Sequence, residues 1–172
     1  MSENDKLIDI FKKSLTSTVK SIGRAPEADI KFINEKPSIN ENEVNLSNLN
    51  VSNLKNNLNY IRGEADSFAL ELRLHNSNIH KEYLSNNSIA NQIFEEIERS
   101  RVEAQGSKLF KGIKQNIFNK HNFDINNKSI NNDDIIINAF KYVSFSELTN
   151  QNLSGNYDFY KKFLKEKIGK NY

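Results

Sequence analysis

The sequence predicts a mainly α fold: one helical domain with a small N-terminal β-hairpin. Three observations carry that expectation. Apolar residues recur every three to four positions over residues 7–22 and again over 54–74, the spacing of a buried stripe on an α-helix. Between those stretches, residues 29–33 alternate charged and apolar side chains, the period of a half-buried strand. A chain of 172 residues is long enough for one domain with its own core and short for two.

The first stripe is Leu7, Ile8, Phe11, Leu15, Val19 and Ile22. Asn4 or Asp5 is the expected N-cap and Gly23 the C-terminal stop, with Pro26 just beyond. Ile30 and Phe32 alternate with Asp29 and Lys31 as a strand. After Pro37 and a polar loop, residues 43–46 are expected to return as the second strand of the hairpin. Two strands alone are marginal, so they are expected to pack on helices. A long helix runs from Ser52, its N-cap, to about His75, burying Leu54, Leu58, Ile61, Ala65, Phe68, Ala69, Leu72 and Leu74. Turn residues Asn76, Ser77 and Asn78 lead into a short helical piece over 79–84, and residues 85–88 offer another cap. The next helix carries Ile89, Ile93, Ile97, Ser100 and Ala104 on one face. Past Gly106, Leu109, Ile113 and Ile117 point to the opposite side at about 100° per residue. A break or kink at Gly106 is favoured over a continuous helix with different neighbours on each side. Residues 120–132 read as a polar connection. Asp133 or Asp134 is placed to cap a helix through Ile135, Ile136, Ala139, Phe140 and Val143, although the three consecutive Ile residues also fit a strand. Residues 148–156 read as a loop around Gly155. A last helix over 157–168 buries Phe159, Tyr160, Phe163 and Leu164. The expected core joins the first helix, the 52–75 helix, the 88–118 region and the last helix in a single domain spanning residues 1–172.

Composition removes several function classes. There is no Cys, which excludes disulfide frameworks, thiolate zinc sites and Cys nucleophiles. The net charge of +2 gives no strong field for nucleic acid. Asn makes up about one residue in six, far above average usage. The polar N-terminus has no apolar segment of a signal peptide, and no apolar run approaches the ~20 residues of a membrane span. A soluble, cytoplasmic protein is therefore expected, with neither nucleic acid nor membrane as a partner.

Motifs narrow the field further. No phosphate loop, GxGxxG or GxSxG occurs. The lysines of the last helix alternate with aromatics at core spacing, which reads as a packed helix with a solvated basic face. His75 and His80 lie five apart, about 140° around one helix, instead of the i,i+4 spacing of a helical zinc pair. A turn at residues 76–78 is able to bring them together, with Glu103 or Asp66 adding oxygen ligands. The competing reading is that they cap helix ends or hydrogen-bond at a packing corner. Arg62, Asp66 and Arg73 share one helix face. Such a stripe either presents bidentate contacts to a partner or bridges internally to the Glu95–Glu103 segment. That segment is dense in charge, with Glu95 and Arg99 at i,i+4. Glu98 and Glu103 are five apart and do not face one substrate, so they are a poor acid–base pair.

Two segments taken together resemble a known family. The run from Arg62 through Gly63, Ala65, Asp66, Ser67, Ala69, Leu70, Leu72, Arg73 and His75, followed by His80, is similar to RGxADSxALxLRxHD…H of CobT. CobT is a subunit of the aerobic, ATP-dependent cobaltochelatase. Phe94, Glu98, Arg101, Val102, Glu103 and Gly106, with Gly112 and Asn116, are similar to its FxxxExxRVExxG…G…N stretch. Weaker similarity spans residues 11–32 and 159–169. Asn76 stands where the family has Asp, and Leu46, Ser47, Asn48 and Leu49 replace a proline-rich turn. The family continues into an acidic linker and a von Willebrand factor A-type domain, which is not expected in residues 1–172.

The resemblance implies a division of labour. A large CobN-like subunit binds hydrogenobyrinic acid a,c-diamide and receives Co2+. A CobS-like AAA+ subunit hydrolyses ATP with Mg2+, and the CobT-like subunit couples the two without catalysis or a bound cofactor of its own. Self-association into a homo-oligomer stays open. No catalytic or metal residue carries over. Arg62, Asp66, Arg73, His75, His80, Glu98, Arg101 and Glu103 are candidates for a partner interface or structural ion pairs. The alternatives are a small metal- or porphyrinoid-binding protein using His75, His80 and Glu103, or an adaptor for another AAA+ chelatase-type motor.

Overall fold

The computed structural model describes residues 2–169, apart from the side chains of Asn53, Lys55 and Asn56. Helix α1 (Glu3–Gly23) starts in a capping box. The Ser2 hydroxyl accepts from the Asp5 amide at 3.2 Å, and the Asp5 carboxylate accepts from the Ser2 amide at 2.9 Å. The N-cap is thus Ser2 rather than Asn4 or Asp5. The left-handed residue that ends the helix is Arg24, φ 54°. Gly23 is instead the last helical residue, and a Cβ there would lie 3.1 Å from the Leu72 side chain. The glycine lets α1 approach the helix that carries Leu72.

Three strands follow: β1 (Asp29–Ile33), β2 (Ser38–Asn40) and β3 (Glu43–Ser47), in the order β1-β3-β2. Residues 43–46 do form a strand, but it runs parallel to β1, pairing Ile30 with Val44 and Phe32 with Leu46. The hairpin lies between β2 and β3. Ile39 is the only apolar residue of β2, so no alternation announced it. The parallel register sends Val44 and Leu46 together into the core under α1 and the following long helix.

The helix expected from Ser52 to His75 is two helices, α2 (Val51–Asn56) and α3 (Leu58–Leu74), separated at Asn57. Ser52 lies inside α2, after its first residue. Helix α3 ends at His75 as expected. Helix α4 (Ser77–Glu82) is capped by the Asn76 side chain, and α5 (Ser88–Leu109) by that of Asn87. Helix α5 continues through Gly106. The break falls at Phe110, φ −137° and ψ 106°, before α6 (Lys111–Asn127). Residues 120–127 are therefore helix, not polar connection. Its buried face includes Lys120, His121 and Asp124, polar residues that hid the stripe. Residues 135–143 resolve as helix, α7 (Ile135–Thr149), reaching beyond the expected loop boundary. Helix α8 (Tyr157–Ile168) buries Tyr157, Tyr160 and Leu164, while Phe159 is exposed.

Two hydrophobic clusters result. Leu15, Val19, Val44, Leu46, Ile61 and Ala65 join α1, the sheet and α3. Leu70, Val102, Ile117, Tyr142, Phe145 and Leu164 join α3 to α5, α6, α7 and α8. Helix α3 is the shared wall, and α7, absent from the core expected from sequence, contributes Ala139, Tyr142, Val143 and Phe145 to it. Among the described residues, no helix is long and apolar enough to cross a membrane.

Candidate functional site

Two glycines set the spacing of the helices that carry the motif residues. A Cβ on Gly63 would overlap the Asn116 carbonyl oxygen and lie 2.6 Å from Lys120 Cβ. One on Gly106 would overlap the Leu70 side chain. Helix α3 is thereby drawn against α6 at one point and against α5 at another.

Glu103 sits between them, 0% exposed. Its Oε1 accepts from the Ser67 hydroxyl at 2.5 Å and from Lys120 Nζ at 3.0 Å. Its Oε2 lies 2.6 Å from His121 Nε2. Burial is the largest influence on Glu103 and opposes its charge. Lys120 and His121 outweigh it and hold the carboxyl well below the usual range. Burial also depresses His121, only partly offset by Glu103. A neutral ring facing a carboxylate donates from Nε2, which leaves His121 Nδ1 without a partner among the described residues. One carboxylate thus ties α3, α5 and α6 through charge-assisted bonds. With both oxygens engaged, it is not free to take a substrate proton.

The other candidates occupy separate places. Arg62 is exposed, its guanidinium 5.8 Å from the Phe11 ring centre on α1. Asp66 is buried and accepts from the Asn116 amide at 2.8 Å. Arg73 donates to the Ile22 carbonyl at 3.2 Å and lies over Phe110. The Arg62–Asp66–Arg73 stripe therefore does not bridge to α5 but divides its contacts between α1 and α6. The bridge to α5 comes from His75, whose Nδ1 is 3.0 Å from Glu98 Oε1. Arg101 grips the same carboxylate at 2.7 and 2.8 Å and donates to the Leu74 carbonyl at 3.2 Å. His80 stacks on Phe94 at 4.6 Å, with the His75 ring 4.9 Å away. Turn residues 76–78 do bring the two histidines together. Glu103, however, is committed to Ser67, Lys120 and His121, and Asp66 to Asn116, so neither joins them. Among the described residues no group of three or more His, Asp or Glu is arranged to hold a metal ion. Arg99 also departs from expectation: it pairs with Glu96 at 3.2 Å and approaches Glu71 at 3.7 Å, not Glu95.

A cleft of about 1070 Å3 opens beside this network. One stripe of α3 (Glu64, Ser67, Glu71 and His75) lines it, facing a stripe of α5 (Gln92, Glu95, Glu96 and Arg99), with Lys120, Asp124 and Lys141 closing the far side. Glu64 accepts from the Ser47 amide at 2.7 Å and hydroxyl at 2.9 Å. Lys141 and Asp124 pair at 3.3 Å. Burial pushes the Glu64 and Glu71 carboxyls up and Lys141 down. Sequence reasoning missed Ser67, Glu71, Lys120, His121, Asp124 and Lys141 as site residues. The signal that was available is on α3, where Glu64, Ser67, Glu71 and His75 repeat every three to four positions. A polar stripe of that period needs partners or solvent of its own.

Residues 5–135 match the family described as cobalamin biosynthesis protein CobT. No solved structure matches the chain.

Proposed function

Because the chain belongs to the CobT family of cobalamin biosynthesis proteins, we propose that it is a non-catalytic coupling subunit of an ATP-dependent cobaltochelatase. In that role it connects an AAA+ ATPase subunit to a large corrin-binding subunit that inserts Co2+ into hydrogenobyrinic acid a,c-diamide. ATP, Mg2+ and Co2+ belong to the complex and not to this chain.

The observation that carries the reading is how the matched segment spends its chemical groups. Glu103 is buried with both oxygens engaged by neighbours on other helices, and Asp66 is buried and bonded to Asn116. Gly63 and Gly106 are occupied by close helix contacts. These groups brace a rigid body instead of presenting a reacting constellation, as a coupling part requires.

The test is co-purification of the tagged chain with the AAA+ chelatase ATPase and the large subunit encoded in the same genome, with ATP, with ADP and without nucleotide. A complex in at least one nucleotide state, and no ATP hydrolysis by the chain alone, are expected. Absence of a complex in all three states rules the assembly role out.

A further inference from the structure

The cleft between α3 and α5 does more than the bracing role requires. Most of its basic groups are already matched: Lys120 to Glu103 at 3.0 Å, Lys141 and Lys128 to Asp124 at 3.3 and 3.5 Å, and Arg99 to Glu96 at 3.2 Å. Its acidic groups outnumber these partners. The lining carries seven carboxylates against five Lys and Arg side chains, so the surplus is negative before the buried Glu103 is added. Glu64 accepts hydrogen bonds from the neutral donors of Ser47.

Three buried atoms around Arg99 have no hydrogen-bond partner among the described residues: Glu71 Oε2, Glu96 Oε2 and Arg99 Nε. Arg99 Nε and Glu71 Oε2 are 3.7 Å apart, close enough to attract and too far to bond. All three belong to side chains that line the cleft. Leaving such groups unmet costs about 1–3 kcal/mol each. The terminal torsion of a glutamate is soft, so each carboxylate can turn its free oxygen toward a guest.

We propose that this cleft binds an arginine or lysine side chain presented on an extended segment of a partner polypeptide. The carboxylates of Glu71 and Glu96 receive the cationic head, and the Arg99 Nε–H receives a main-chain carbonyl. A polypeptide meets both demands together, since a bare cation has no acceptor for Arg99. A volume of about 1070 Å3 lies at the upper end of small-ligand sites and accommodates the residues beside the basic one. Burial holds the Glu71 carboxyl above its usual range, with Arg99 opposing it, so an arriving cation favours its charged form. The proposal stands apart from the chelatase reading, and either can fail alone.

The test uses the full chain, labelled with 15N, titrated with N-acetyl-arginine N-methylamide, its citrulline counterpart, and methylguanidinium. The Arg99 Nε–H and the amides of residues 67–71 and 95–99 report in proton–nitrogen spectra. The arginine compound is expected to give saturable shifts confined to those positions, with citrulline at least tenfold weaker and methylguanidinium weaker than the arginine compound. Glu71→Gln and Glu96→Gln should each weaken arginine binding at least fivefold, while Glu166→Gln, at an exposed position of α8, leaves it unchanged. Two isosteric variants guard against one failing to fold. Equal binding of citrulline, unlocalised shifts, or binding unchanged in a folded Glu71→Gln or Glu96→Gln chain overturns the proposal. Methylguanidinium binding as tightly as the arginine compound overturns the polypeptide part in favour of a small cation.

Discussion

Replacing Glu103 with Gln keeps the volume and shape of the side chain and removes one charge from the centre of the three-helix junction. Lys120 is buried and its salt bridge runs to Glu103 Oε1 at 3.0 Å. The variant therefore leaves an ammonium without its anion. An amide oxygen can still accept from Ser67 and Lys120, so part of the bonding survives. On the other side the new NH2 would face the His121 Nε2–H, which forces the ring proton onto Nδ1, an atom with no partner among the described residues. Breaking a buried pair from one side costs about 3–5 kcal/mol. The surviving neutral bonds place this case at the lower end, about 3 kcal/mol. For a chain of this size, each kcal/mol moves Tm by roughly 2–4 °C, so a fall of roughly 6–12 °C is expected. The assay is thermal and urea unfolding at pH 7 followed by far-ultraviolet circular dichroism, run as a cycle with Lys120→Met. Each single variant strands the other's charge and the double variant strands neither. A coupling of about 2 kcal/mol is therefore expected, within the range for contacting residues. A Glu103→Gln chain within about 0.5 kcal/mol of wild type, with additive effects in the cycle, would refute the argument that this carboxylate holds the helices together.

Two further outcomes follow from the same geometry. Gly63→Ala should cost more than Gly106→Ala in urea titrations, about 2–3 against about 1 kcal/mol, because the first drives a Cβ into the Asn116 backbone and the second into a Leu70 side chain able to repack; equal or reversed losses contradict the packing account. Stability should also fall on acidification below about pH 6.5, because the unfolded chain takes up a proton that the folded His121 refuses, with a slope of up to about 1.4 kcal/mol per pH unit. The raised carboxyls of Glu64 and Glu71 act in the opposite sense: they favour the folded chain as pH falls. The readout is therefore the difference between wild type and His121→Gln, whose amide can still donate to Glu103, and an identical slope in both chains rules the assignment out.

Much of the helical plan was legible because it rests on apolar spacing. Helix α1, the end of α3 at His75, the cap before α5 and helix α8 all follow from stripes and turn residues. The second half of α6 was not, because three of its core positions hold Lys120, His121 and Asp124. Polar residues occupy a core when their partners lie on other helices, and no local pattern reports a partner 17 or 18 residues away. The strand pairing failed for a related reason. Residues 29–33 and 43–47 look the same in either direction, and only β2, a three-residue strand, decides that β3 runs parallel to β1. The site residues show both outcomes. Glu103 and Glu98 were named, and His75 and Arg101 beside them, but their pairings could not be read from spacing. Gly106 was read as a helix break, whereas it serves as a seat for Leu70.

Helix α5 holds one more consequence. Its later part contributes Ser100, Val102, Glu103, Ala104, Gly106 and Ser107 to the interior, whereas residues 88–99 contribute no fully buried side chain and α4 beside them contributes none. A single helix of roughly 33 Å therefore belongs to two thermal populations. Amide protons near residue 103 should exchange with solvent only when the whole domain opens, and those near residue 90 by fraying that leaves the domain intact. Protease cleavage should begin in residues 76–92 while the remaining helices stay folded, so the motif core and the less buried segment beside it age, nick and relax on separate clocks.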